Sequence, residues 1–366
     1  YGVVVNNEGT VYVSSWGTQQ VHVYTPDGAR LRDRKPIDVA RHPSTMLLNA
    51  DGTRLFATSA STDAISVIDT RSNAVVSTLR DPTPANLGQG STPIGMLLSR
   101  DGTQLYVTEG DNNAVALFTL SARTAGTGSG TRDSLLGRAP VGWYPSALLQ
   151  VGDTLHVVDA KGRGTAPNPK LPQPGATGRP EDRANSYTSG QINGTITKLA
   201  LAQFASPSLA ALSGRVARAN NWDAPSVRSG MPPITHVIYV IKENRTYDQV
   251  LSDLPAGDGD TTLLFFPRRM SPNHHALAER FGLYDRFFVN AEVSADGHNW
   301  STAAYTTDYT QKTVPSNYSG RGRSYDYEGT NRGRVPSDDD DDDVAEPAKG
   351  YLWDLAKRKG ITFRNF

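Results

Sequence analysis

The 366-residue sequence contains no cysteine. That excludes disulfides, thiolate zinc sites and cysteine nucleophiles. It also lacks an excess of either charge, because 37 Lys and Arg balance 37 Asp and Glu. A protein that grips nucleic acid through phosphate contacts carries a basic surplus, so no nucleic-acid partner is expected. No run of about 18 apolar residues occurs, so no transmembrane segment is expected. The sequence does not open with methionine. Residues 1–5 already read as a strand, and residues 361–366 read as a strand just begun, so both ends are expected to be cut and a leader peptide is not informative. A cysteine-free chain rich in Gly, Pro, Asn, Ser and Thr is compatible with an exported protein, and a periplasmic or secreted location is the expectation.

What the sequence does contain is a repeat. Asn7-Glu8-Gly9-Thr10-Val11-Tyr12-Val13 returns as Asp51-Gly52-Thr53-Arg54-Leu55-Phe56-Ala57 and as Asp101-Gly102-Thr103-Gln104-Leu105-Tyr106-Val107. A degenerate copy is Val151-Gly152-Asp153-Thr154-Leu155-His156-Val157. The period of about 43 to 50 residues is that of a four-stranded blade. In each unit an apolar strand, such as 93–98, leads into an Asp-Gly turn that supplies the positive φ of a tight hairpin. Strands at 105–108 and 114–118 follow, and 64–69 is the equivalent strand one unit earlier. One hairpin is marginal alone, so the units must stack. With Leu55-Phe56-Ala57-Thr58 and Leu105-Tyr106-Val107-Thr108 at the signature position, residues 1–203 resemble a YVTN-type β-propeller. The resemblance implies a multidomain fold that opens with an all-β propeller. Four blades are visible and relatives commonly close with seven, so earlier blades are expected to be missing. No convergent cluster of His and acidic residues stands out in the blades, and a binding or positioning role is expected of them. The segment 160–189, dense in Gly, Pro and Asn, reads as an insert unable to fold alone.

Residues 204–233 read as a linker, with a short helix at 201–212 and a boundary at Met231-Pro232-Pro233. The pattern then changes. Residues 234–241 are almost continuously apolar, as a parallel strand buried on both faces would be. Ser271-Pro272 opens a helix that Gly282 closes. A second strand is expected at 283–289, a helix at 299–309 and another at 349–359. Alternation of strand and helix implies an α/β sheet.

Glu243-Asn244-Arg245-Thr246-Tyr247-Asp248 follows the first of these strands. Ligands of open α/β sheets bind outside the carboxyl ends of strands, and a carboxylate with an amide oxygen suits a hard divalent cation. Taken alone, the same residues also make an ordinary polar helix start. The motif closely resembles the Glu-Asn-Arg-(Ser/Thr)-(Phe/Tyr)-Asp signature of the phosphoesterase family, acid phosphatases and phospholipases C of the alkaline phosphatase superfamily. Residues 273–289, with Ala276-Leu277-Ala278-Glu279-Arg280-Phe281 and Asp285-Arg286-Phe287, resemble a second segment of that family. The resemblance spans 234–366 and implies the first part of an alkaline-phosphatase-like α/β domain. It implies a divalent metal ion held by Glu243 and Asn244, a nucleophilic Ser294, and phosphate positioning by Asn299. Apart from the resemblance, His298 reads as a substrate-binding residue for phosphate, a metal ligand or a structural hydrogen-bonding group. The family commonly spaces Thr-x-Pro-Asn, whereas here Asn299 stands five positions after Ser294. Ser301 and Thr302 are therefore rival nucleophiles, and Ser294 alternatively caps a helix beginning near Asn299.

A serine hydroxyl attacks phosphorus only when its alkoxide is stabilised. In-line attack would give a phosphoserine that water then hydrolyses, with helix N-terminal amides holding phosphate oxygens. His274 and His275 read as structural, Asp296 as a ligand or an Asx turn, Asp338 to Asp343 as a solvated acidic loop, and 318–334 as an exposed loop. Further Asp and His ligands of the superfamily are not identifiable here. The expected function is hydrolysis of a phosphate ester. Two alternatives remain: a propeller that binds a ligand or surface beside a degenerate second domain, and a propeller lactonase.

Overall fold

The computed structural model describes residues 1–83, 90–121, 133–163, 192–223, 230, 232–317 and 345–366. The glycine- and proline-rich insert after its first four residues, the loop at 318–334 and the aspartate run at 338–343 lie outside them. The chain divides into two compact units. One holds Tyr1–Ala166, Thr188–Pro225 and Val293–Phe366, and the other Pro167–Tyr187 and Ser226–Glu292. Residues 293–366 thus cluster with the blades, a division unlike the 234–366 domain read from the sequence.

The first unit contains consecutive antiparallel meanders. Blade 1 is β1 (Val3–Val5), β2 (Val11–Ser15), β3 (Gln20–Asp27) and β4 (Arg30–Asp38). Blade 2 is β5 (Pro43–Leu48), β6 (Arg54–Ser59), β7 (Ala64–Asp69) and β8 (Ala74–Arg80). Blade 3 is β9 (Pro93–Leu98), β10 (Gln104–Glu109), β11 (Ala114–Thr119) and β12 (Ser134–Pro140). Blade 4 shows three strands, β13 (Trp143–Val151), β14 (Thr154–Gly162) and β15 (Thr195–Ala200). The repeat is therefore a propeller repeat, and the first strands β5, β9 and β13 lie side by side.

The repeated Asp-Gly-Thr makes its turn by a side-chain device. Asp51 accepts from the Thr53 amide at 3.0 Å and its hydroxyl at 2.6 Å, while Gly52 takes φ 70°. Asp101, Gly102 and Thr103 repeat the arrangement. Successive residues of a strand point to opposite faces, and in the middle blades both faces are covered. Leu105, Val107, Ala116 and Phe118 pack with Phe56, Ile65 and Val67 of blade 2. Their neighbours Tyr106, Val115 and Leu117 pack with Leu155, Val157 and Leu199 of blade 4.

Helix α1 (Ser208–Ala219) covers β12, the outer edge of blade 3, with Leu209 and Leu212. Gly137 permits the approach, since a Cβ there would stand 2.6 Å from Ser213 Oγ. The covered edge cannot template pairing with another chain. The expected helix at 201–212 is corrected: a 3-10 turn at Leu201–Phe204 precedes α1. Pro207 separates the two because it has no amide hydrogen to donate inside a helix. Much of the expected linker is thus a docked helix.

The second unit carries α2 (Tyr247–Leu251), a 3-10 turn (Thr261–Leu263) and α3 (Pro272–Phe281). Helix α3 stands where the sequence placed it, with Pro272 in its first turn and Gly282 after its end. His275 is buried in it and bonds Asp253 Oδ1 at 2.6 Å and the Ser271 carbonyl at 2.8 Å, a structural role as expected. The two expected strands do not form. Residues 234–241 and 283–289 have no regular structure, and Ile238 is 90% exposed. A parallel strand exists only by hydrogen bonding to neighbours, and no strand lies beside either segment among the described residues. Residues 361–366 are likewise irregular.

The first unit ends in α4 (Ser294–Ala303), α5 (Asp308–Asn317) and α6 (Leu352–Arg358). The helix expected at 299–309 starts earlier, because Asp296 accepts the Val293 amide at 3.1 Å and closes the first turn. It stops at Ala304, which takes φ 52°. No helix among the described residues is long and apolar enough to cross a membrane.

Candidate active site

Helix α4 gathers the hydroxyl candidates. Ser294 is its first residue and half-buried, beside the unbonded amides and positive end of the helix dipole. No hydrogen bond engages its hydroxyl among the described residues. The rivals are committed: Ser301 donates to the Gly297 carbonyl at 2.9 Å and Thr302 to the His298 carbonyl at 2.8 Å. His298 stands four residues after Ser294 and so shares its helix face. Asn299 is fully buried; its Nδ2 donates to the Ala295 carbonyl at 3.3 Å and its Oδ1 accepts from the Tyr351 hydroxyl at 3.3 Å. In this arrangement its amide serves the packing of α4. The alternative role of Ser294 as a cap is not realised, since Val293 occupies the cap position.

Glu243 and Asn244 belong to the second unit. They are exposed on irregular backbone just ahead of α2, and the peptide bond between them is cis. Thr246 caps α2 by position. Two oxygen donors are short of the six to eight ligands that calcium takes or the octahedron of magnesium. No group of three or more His, Asp or Glu stands ready for a metal among the described residues. The donor set for the implied cation is therefore incomplete in these residues.

The blades hold what the sequence did not reveal. Acidic residues of blades 2 and 3 meet around an arginine, an arrangement distinct from a cluster of His and acidic residues, which was not expected in the blades. Arg138 of β12 donates from Nε to Glu109 at 2.6 Å and from one terminal nitrogen to Asp81 at 3.1 Å. Both carboxylates are fully buried, and each has one oxygen without a hydrogen-bond partner. Burial first, and the charge of Glu109 second, push Asp81 well above the usual carboxylate range. Asp63 accepts backbone amides of Gly90, Ser91 and Thr92 at 3.1–3.2 Å. Burial nonetheless raises it. His42 is buried against the Trp16 ring, at 4.6 Å between centroids, and meets Ser61 Oγ at 2.7 Å. Burial, then the neighbouring Arg41, hold its imidazole well below the ordinary range.

A second set of polar residues joins the blades to the segment after α4. Asp308 accepts the hydroxyls of Tyr1 and Tyr144, each at 2.7 Å, and the ammonium of Lys312 at 2.9 Å. Tyr305 meets Thr92 Oγ at 3.1 Å, and Thr92 donates to Asp111 at 2.6 Å. Because the single Thr92 proton goes to Asp111, Tyr305 is the donor in the first of these bonds. These partners lie as far as 307 residues apart, beyond any spacing rule. The only local signal was the Asp that recurs at the turn between second and third strands, at 63 and 111.

The fold class is thus a β-propeller repeat with appended helices. No family model matches the chain, and no curated protein matches it. Solved structures do. Hydrazine synthase of Kuenenia stuttgartiensis matches at 17% identity and TM-score 0.37, over 55% of this chain and 46% of its own. A protein from Lactobacillus plantarum matches at 20% identity and TM-score 0.38, over 44% and 48%. The Cps50 (Swd1) β-propeller domain of Myceliophteria thermophila matches at 12% identity and TM-score 0.32, over 42% and 49%. The chain spans about half the length of each, and likenesses of this size carry no statement about activity.

Proposed function

We propose that the chain belongs to a hydrolase of phosphate esters whose nucleophile is Ser294. The observation that carries the reading is the state of the three hydroxyls on α4. Of the three, only Ser294 makes no side-chain hydrogen bond among the described residues, and it sits at the amino end of a ten-residue helix. The resemblance of Glu243 to Asp248, and of 273–289, to phosphoesterase motifs supports the same chemistry. In the reaction Ser294 Oγ forms a bond to phosphorus as the ester P–O bond breaks and the alcohol leaves. Water then attacks phosphorus and returns the serine. In this reading the amides opening α4 hold phosphate oxygens, and His298, one turn after Ser294, contacts the substrate. By the same resemblance Glu243 and Asn244 would be two donors toward a divalent cation, whose chemistry would be charge neutralisation.

A second reading is favoured by Asn299, whose amide is buried in structural bonds. It is a propeller protein that binds a ligand or surface beside a degenerate phosphoesterase segment. The full-length protein decides between them. Under the first reading it hydrolyses p-nitrophenyl phosphate or bis(p-nitrophenyl) phosphate, a chelator and Ser294→Ala each abolish turnover, and Ser301→Ala does not. Full activity in the Ser294→Ala protein would remove Ser294 from the mechanism.

A further inference from the structure

The loops between second and third strands, and those between blades, emerge at one end of the sheets. Residues 305–311 are seated on that loop face, and they meet residues of, or adjoining, each of the four described blades. Tyr1 before β1 bonds Asp308. The Tyr305 hydroxyl lies 3.5 Å from the Ala60 carbonyl of blade 2. Thr92 of blade 3 accepts from the same hydroxyl. Tyr144 of blade 4 donates to Asp308, and Lys161 of blade 4 donates to Gln311 at 2.6 Å. Within the segment Thr306, Thr307, Asp308 and Thr310 are fully buried.

We propose that this face of the propeller is a seat that holds α4 in place, and that Asp308 is the positioning residue at its centre. This rests on the reading above, that α4 carries the reaction. The covalent path from the seat to α4 is a single turn at Ala304, and the Thr306 hydroxyl returns to the Asp296 carbonyl at 3.3 Å. A displacement of 305–311 therefore moves the helix that bears Ser294. Asp308 is the keystone by donor count. Its two oxygens receive two tyrosine hydroxyls and an ammonium, from blade 1, blade 4 and its own helix, and all are charge-assisted. The hydroxyls that the loop face presents to a ligand, Tyr1, Thr92 and Tyr144, are spent on the chain itself. The propeller accordingly acts on the reaction by positioning.

Asp308→Asn tests this in the full-length protein. The amide keeps the shape but loses the charge, and hydrogen exchange in 294–311 should quicken about 10- to 100-fold while β9 to β11 keep their protection. The kcat for p-nitrophenyl phosphate should fall about 10-fold or more with KM nearly unchanged, because misplacement of a nucleophile costs transition-state binding. Tyr144→Phe, which removes one donor, should show a smaller change of the same kind. Unchanged exchange in 294–311, or equal acceleration in the blades, overturns the seat. Faster exchange with unchanged kcat overturns the positioning role. If the wild-type protein hydrolyses no phosphate ester, the phosphoesterase reading falls, and exchange alone decides for or against the seat.

Discussion

Replacing Asp111 with asparagine should make the protein more stable at high pH and flatten its dependence on pH. Asp111 follows β10 and its carboxylate accepts the Thr92 hydroxyl at 2.6 Å. Burial pushes it up from 3.8 to about 7; the Thr92 bond and Lys161 oppose this, while Asp63 and Asp308 add to it. A carboxyl raised in the folded state keeps a proton that the unfolded chain has already released. The contribution of Asp111 to stability is then greatest below about pH 3.8 and is lost as pH rises towards 7. At about 1.36 kcal/mol per pH unit the full loss is about 4 kcal/mol, of which about 2–3 kcal/mol falls between pH 5 and 8. Part of the residue remains at the surface, so water screens the carboxylate and these figures are a ceiling. The substituted amide cannot ionise, and its oxygen still accepts from Thr92. Urea unfolding of both proteins at several pH values, followed by tryptophan fluorescence, measures the difference. Trp16 lies at the same loop face and reports on it. The raised carboxylates of Asp81 and Asp159 are present in both proteins, so the difference between the curves reports Asp111 together with its coupling to Asp63. Parallel stability curves from pH 5 to 8 would refute the reasoning.

Two further perturbations follow from packing and charge. Gly95→Ala in β9 places a Cβ 2.7 Å from the Ser146 carbonyl oxygen and 3.1 Å from Ala147 Cα of the next blade. Backbone cannot yield as a side chain does, so a loss of about 1–3 kcal/mol is expected in denaturant melts, and an unchanged midpoint would mean the first strands part easily. Arg138→Met removes the cation that bonds the buried Asp81 and Glu109. That should cost about 3–5 kcal/mol, and adding Glu109→Gln should recover much of it; a single variant as stable as wild type would show that the pair needs no cation.

The blades were legible because their code is local. The strand read at 93–98 is β9 residue for residue, and 64–69 is β7, since each alternates between two covered faces and ends at an Asp-bonded turn. Helix α3 was legible for the same reason, with proline opening and glycine closing a single turn-scale pattern. The run 234–241 was misread because continuous apolarity reports a demand for burial without naming what buries it. Without a neighbouring strand the demand goes unmet, and Val237 and Ile238 stay in solvent.

The start of α4 shows how one misplaced boundary changes a chemical argument. Placing it near Asn299 left Ser294 in a loop, with Asn299 free to reach a phosphate. Asp296 instead closes the first turn from the third position. That places Ser294 against the unbonded amides of the helix start, and it sends Asn299 one turn inward to Ala295 and Tyr351. The same shift strengthens the hydroxyl and weakens the amide as groups for phosphate. The two belong to one helix, so a chemistry that needs both at the substrate requires Asn299 to break its bond to Tyr351. A Tyr351→Phe protein measures that cost directly: if Asn299 must turn outward to bind phosphate, removing the hydroxyl lowers KM, and an unchanged KM assigns Asn299 to packing alone.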